Sequence, residues 1–339
     1  MKTATRPNRW ERFTQNKRAF ISLWIFSILF GLSLFAEFIA NDKPILLRFD
    51  GTFYFPVFRN YSELIFGGEF DIAADYRDPF IADLINEKGW MLDPPIRFSY
   101  NTINYNLPSP APSPPTKENR FGTDDRGRDV AARVMYGFRI SVLFGLTLTL
   151  FSSIIGITLG AVQGYYGGRL DLIFQRFIEV WSGMPTLFML IVLSSVVEPN
   201  FWWLLGITLL FSWMSLVGAV RAEFLRARNF EYVLAARAMG MHHRRIMFVH
   251  ILPNAMTSAL SYLPFILGGS ITTLTSLDFL GFGLPIGSPS LGELLAQGKA
   301  NLHAPWLGIA SFMVLAVTLS LLVFIGEGVR DAFDPRRNG

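Results

Sequence analysis

Cysteine is absent from all 339 residues, so the chain can build no disulfide, no thiolate metal site and no cysteine nucleophile. Charge is scarce as well: Asp, Glu, Lys and Arg together make 17% of the chain, against roughly 25% in soluble globular proteins. Histidine occurs four times, and His242, His243 and His250 do not stand at a zinc-site spacing. No internal repeat is visible. A phosphate loop is missing too. Gly292 to Gly298 followed by Lys299 imitates one, but it has five residues between the glycines where the loop needs four, and Ala300 replaces the Ser or Thr. Any ATP has to be bound by another polypeptide, and neither a catalytic group nor a cofactor is expected in this chain.

What is plentiful is apolar surface. Hydrophobic residues make 51%, with 32 Phe and 8 Trp. Runs of about 20 apolar residues, enough to cross roughly 30 Å of hydrocarbon, lie at Ala19–Ala40, Ile140–Val162, Phe177–Val197, Phe201–Val220, Thr257–Leu277 and Leu307–Gly326. Pro264 interrupts the fifth, which buried neighbours tolerate. The first run is longer than the 7–15 residues or so of a signal-peptide core. This predicts an all-α integral membrane protein with about six transmembrane helices and multiple passes through a cell membrane.

The basic residues sit between the runs, a distribution that suits membrane topology rather than nucleic-acid binding. Lys2, Arg6, Arg9, Arg12, Lys17 and Arg18 precede the first run against Glu11 alone. Arg221, Arg226, Arg228, Arg237, Arg244 and Arg245 follow the fourth, and Arg330, Arg336 and Arg337 follow the sixth. The positive-inside rule then places both termini in the cytoplasm: residues 1–18 as an N-terminal segment, 221–253 as a cytoplasmic loop and 329–339 as a tail. Residues 41–137 form an outward insert, rich in Asp and Glu among aromatics, with a strand-like stretch at Thr52–Phe58. Its proline-rich stretch 107–115 is expected to be a stiff polyproline-II linker.

The loop carries the most specific pattern. Asn229 is a plausible N-cap, Glu231 suits the first turn and Gly240 suits the left-handed position after a helix of about ten residues. Tyr232, Ala235, Ala236 and Met239 recur on one side at helical spacing. A slim, partly apolar helix on the inner face fits either a protein partner or a seat on lipid headgroups.

This loop resembles the signature of bacterial binding-protein-dependent ABC importer permeases. Ala235-Ala236, three residues to Gly240, then nine to His250 before Ile251, Leu252 and Pro253 keep the register, with Leu234 and His250 as departures. Residues 121–141, 164–168 and 276–283 resemble further segments of the peptide-type permeases in that family. The insert at 41–120 and the run Phe177–Leu216 resemble more narrowly the permeases of microcin C and oligopeptide importers.

The resemblance implies a type I importer fold, with residues 138–328 as the transmembrane domain in a bacterial inner membrane and 41–137 periplasmic. The implied partners are a second permease as a heterodimer, separate ATP-binding subunits and a periplasmic solute-binding protein. Glu231, Tyr232, Ala235, Ala236, Arg237, Met239, Gly240, Arg244 and Pro253 are implied to couple the helices to the ATPase. The cargo is expected to be peptide, with nickel or another small solute as the alternative cargo. A secondary transporter working without ATPase is the rival class.

Two further groups invite other readings. Asp124, Asp125 and Asp129 lack calcium-loop spacing and are expected in a solvated turn. Glu37, Glu179 and Asp278 fall in or near the runs, where an ionisable group is either functional or at an interface. No metal site is expected.

Overall fold

The computed structural model describes residues 9–333. In chain order the helices are α1 (Arg9–Gln15), α2 (Lys17–Leu34), α3 (Ala36–Ile39), α4 (Pro79–Lys88), α5 (Val130–Tyr166), α6 (Gly168–Ser182) and α7 (Thr186–Ser194). They continue with α8 (Phe201–Ser212), α9 (Met214–Ala227), α10 (Glu231–Ala238), α11 (His243–Arg245), α12 (Leu252–Phe279), α13 (Leu291–Ala300) and α14 (Pro305–Phe333). Strands β1 (Leu46–Phe49), β2 (Thr52–Tyr54) and β3 (Gly89–Leu92) lie in the insert. The chain divides into two units. One comprises residues up to Ile28, Ser141–Pro285 and Leu315 onward; the other comprises Leu29–Ile140 and Ile286–Val314.

Among the described residues, five helical stretches are long and apolar enough to cross a membrane, and a bent pair makes a sixth. The bent pair is the third expected run. Instead of one rod over Phe177–Val197, α6 and α7 meet at 72°, because Pro185 has no N–H for a continuing helix and disfavours helical geometry at Met184. The second span starts at Val130 rather than Ile140. Its extra turns carry Arg133 and Arg139, and both are neutralised: Arg133 Nη2 donates to Glu293 Oε2 at 2.7 Å and Arg139 Nη1 to Glu37 at 2.8 Å. The fourth run extends to Ala227, so residues 221–227 belong to a helix and not to the loop. Arg221 there is held by two bonds to Asp171, at 2.5 and 2.7 Å.

In the first unit, α5 packs on α9 through a stripe of small residues. A Cβ at Gly156, Gly160 or Gly164 would come within 2.5, 2.8 and 2.5 Å of the carbonyl oxygens of Trp213, Val217 and Arg221. Glycine every fourth residue lets the backbones approach, as in other membrane helix pairs. Between α11 and α12 the chain makes a π turn at Ile246–Ile251, in which the Leu252 N–H donates to the Met247 carbonyl. Pro253, which lacks a donor, follows directly.

The second unit adds a small sheet to this mostly helical fold. Strand order is β2-β1-β3, antiparallel, with Leu47 opposite Tyr54 and Met91. These pack toward Phe49, Phe66, Tyr76, Ile81 and Ile85. Strand β2 ends at Tyr54, short of the expected Phe58.

The proline-rich stretch is not a free spacer. It bends at residues 108–112 and contains a cis Ala111–Pro112 bond. Ser113, wholly buried, bonds Thr123 through both its N–H and its carbonyl. Asp124 and Asp129 are likewise buried, not solvated. Asp124 accepts from Arg128 Nε at 2.7 Å, and Asp129 accepts from Asn119 Nδ2 and the Ala132 N–H, each at 2.8 Å. Arginines and an asparagine supply the partners that water would otherwise provide.

Candidate coupling site

The site is the segment between α9 and α12. Helix α10 starts after Phe230, whose extended backbone serves as N-cap without a side-chain bond, so Asn229 does not cap it. Its end is built as the sequence suggests. Gly240 sits at φ +75°, the Met241 N–H donates to the Ala236 carbonyl at 3.1 Å and the Gly240 N–H to the Arg237 carbonyl at 2.9 Å. That pair of bonds is a Schellman stop, and a left-handed residue is required at its turn.

The expected single apolar side of α10 is divided between two surroundings. Ala236 is buried with Val233 against Tyr165, Phe224, Ile246, Met247 and Ile251. Tyr232, Ala235 and Met239 stay exposed, Met239 by 75%. The side chains at 233 and 236 point into the subunit because the following π turn supplies an apolar wall. Those at 232, 235 and 239 have no such wall. Phe230, Leu234, Phe248 and Val249 add to the uncovered apolar surface. Glu231, Arg244 and Pro253 are exposed as well, and the Arg244 N–H donates to His242 Nδ1 at 3.2 Å.

Tyr165 and His243, outside the expected set, and Arg237, within it, fasten this segment to α5. The Tyr165 hydroxyl lies 2.7 Å from His243 Nδ1, and the Arg237 guanidinium lies over the same ring, 4.7 Å from its centroid. Tyr165 is 3% exposed. One tyrosine of α5 therefore holds the arm before Gly240 and the arm after it. The stretch at 164–168 was visible in the sequence only as a resemblance; nothing local says that Tyr165 meets a loop 78 residues later. His250 is occupied by the Met241 sulfur at 3.1 Å. Among the described residues, no cluster of acids and histidines could hold a metal ion, and Gly292 to Ala300 form helix α13 with Ser290 as its cap, not a phosphate cradle. Glu37 pairs with Arg139 and Glu179 with Arg176, while Asp278 accepts from the Leu284 N–H.

Residues 156–339, which include this segment, match the family described as binding-protein-dependent transport system inner membrane component. The chain belongs to that family. As such a permease it is a multi-pass inner-membrane component of an ABC importer. Residues 8–54 match the N-terminal transmembrane domain of oligopeptide transport permease C. Similar proteins include the inner membrane ABC transporter permease protein YejE of Escherichia coli K12, 64% identical over 97% of this chain and 96% of the relative. The peptidoglycan transport system permease protein YejE of Agrobacterium fabrum is 57% identical over 98% of this permease and 93% of its own length. The oligopeptide transport system permease protein OppC of Haemophilus influenzae is 36% identical over 70% of this chain and 77% of its own.

Proposed function

We propose that this permease forms half of the membrane path of a peptide importer and receives the movement of separate ATPase subunits through α10. The observation that carries the coupling role is the division of α10: one side is buried on its own subunit and the other is an uncovered apolar strip flanked by Glu231, Arg237 and Arg244. Uncovered apolar patches of this kind on a folded surface mark partner contacts. The chain itself is a non-catalytic subunit, and ATP is bound and hydrolysed by the partners.

Relatives named for oligopeptide and peptidoglycan transport support peptides or peptide conjugates as cargo, and microcin C-like conjugates fall within that chemistry. A second permease completes the pore, and a periplasmic solute-binding protein delivers cargo. Both termini and the 228–253 segment face the cytoplasm in this reading, supported by their excess of Arg and Lys. Lys2, Arg6, Arg336 and Arg337 lie outside the described residues.

The test separates the two sides of α10. Ala235→Asp places a charge on the uncovered strip and should abolish copurification of the ATPase subunits while the permease stays inserted. Ala236→Asp buries a charge against Tyr165 and Phe224 and should destabilise the permease itself. Full copurification and uptake with Ala235→Asp would overturn the docking role.

A further inference from the structure

Two clefts along α12 share a wall. The one beside the 228–253 segment encloses about 910 Å³ and the next one about 400 Å³. Helix α12 presents Asn254, Thr257, Ser258 and Ser261 to the first, and Gly269, Ser270 and Thr273 to the second. Tyr262 and Phe265 border both. These positions recur at steps of three and four, so they share one side of the helix. From Asn254 to Thr273 that side is about 28 Å long at 1.5 Å per residue, close to the roughly 30 Å of a bilayer's hydrocarbon.

A row of small polar residues alone would be no more than a packing seam. Here it borders open volume of the size that small ligands occupy, and the first cleft also contains Arg9, Arg226, Arg330 and Glu223. Ionisable groups near spanning helices face water or solute rather than lipid. The hydroxyls have a defined polarity. Thr257, Ser261, Ser270 and Thr273 donate to carbonyls of their own helix, which leaves oxygen lone pairs as the groups on offer. Such a wall accepts hydrogen bonds from amide N–H groups.

The constriction has its own hinge and seat. Pro264, between the two aromatics, leaves the Leu260 carbonyl without its helical donor, which permits bending there. The Phe265 ring lies where a Cβ on Gly326 of α14 would come within 2.6 Å.

We propose that this side of α12 is the path of an extended peptide, with Tyr262 and Phe265 as the constriction between two chambers. The proposal rests on the import reading above. Backbone amides of the cargo meet the hydroxyl wall, and its free C-terminal carboxylate passes the chamber where guanidinium groups outnumber carboxylates.

Because the chain has no cysteine, a single introduced cysteine is the one thiol this subunit contributes to the labelling. Thr257→Cys, Ser261→Cys and Thr273→Cys, each in the importer assembled with its second permease and ATPase subunits, should react with a water-soluble methanethiosulfonate at least tenfold faster than Val323→Cys. Val323 is exposed on α14 and outside both clefts. Trialanine should slow the reaction at least threefold, and trialanine amide should protect Thr257→Cys less than the free acid. Adding Tyr262→Ala should speed labelling of Thr273→Cys, at least fivefold, by reagent supplied only on the loop side.

Rates equal to Val323→Cys, or no protection by trialanine, would overturn the path. Equal protection by acid and amide would overturn the carboxylate assignment, and an unchanged rate with Tyr262→Ala would overturn the constriction. Copurification of the ATPase subunits with the cysteine-free permease is read separately and shows whether the import reading itself has failed.

Discussion

The Tyr165 hydroxyl and His243 Nδ1 stand 2.7 Å apart, joining the end of a membrane helix to the turn just beyond Gly240. With Arg237 stacked on the same ring, Tyr165 ties both arms of the turn to α5, and a displacement of α10 is expected to reach α5 through it. Tyr165→Phe keeps the ring and loses one hydrogen bond, a cost of about 1 kcal/mol. Tyr165→Leu loses the stacking as well, about a further 0.5–2 kcal/mol. The Phe variant should retain most uptake. The Leu variant should hydrolyse ATP at the wild-type rate while importing at most about one tenth as much peptide, given the tenfold effect of 1.4 kcal/mol. Proteoliposomes that report hydrolysis and import together would check the ratio; an unchanged ratio with Leu removes Tyr165 from the relay.

The glycine stripe of α5 makes a separate claim about packing. Gly160→Val places a branched side chain where the Val217 carbonyl already lies 2.8 Å from a Cβ, and overpacking of this kind costs about 1–3 kcal/mol. Gly206→Ala, with nothing within 4 Å of its Cβ, should change little. Thermal unfolding of the detergent-solubilised subunit should show a lowered Tm for the first variant alone.

Glu293 holds two buried guanidiniums. Arg133 and Arg128 reach it at 2.7 and 3.2 Å, with side chains 0% and 4% exposed. Arg128 and Arg133 also share Asp124, so Glu293→Ala leaves two buried cations on one carboxylate. Breaking buried pairs this way costs about 3–5 kcal/mol. Limited proteolysis of the insert should accelerate sharply in Glu293→Ala and much less in Glu293→Gln, which keeps the shape and one oxygen acceptor.

Burial pushes the Asp129 carboxyl above the ordinary carboxylate range against the pull of its hydrogen bonds. A carboxyl whose folded pKa is raised holds its proton more tightly when folded. The resulting stabilisation is fully present below the ordinary value of about 4 and is lost as pH climbs through the raised one. Asp129 should therefore make the insert more susceptible to proteolysis at pH 7 than at pH 4.5. Asp129→Asn should flatten that dependence; an identical pH profile in the variant would count against it.

The apolar helices long enough to span and the α10 stop at Gly240 could both be read from composition, periodicity and local backbone demands. What escaped were features made by distant partners. Arg133 and Arg139 ended an apolar run in the sequence, yet α5 begins upstream of both because Glu293 and Glu37 neutralise them. Asp124 and Asp129 looked solvated for the same reason, since their arginine and asparagine partners do not announce themselves by spacing. Ala236 and Ala235 are neighbours of one type, and only the wall formed by Ile246, Met247 and Ile251 decides which is buried.

By itself the sequence determined which segments must leave water and where helices must stop, because hydrophobic length, glycine and proline act within a few residues of themselves. The tertiary structure decided which side of α10 stays open, which tyrosine anchors it and which side of α12 borders the clefts. Those outcomes depend on side chains meeting across long stretches of chain, where burial and close approach assign roles that local pattern leaves equal.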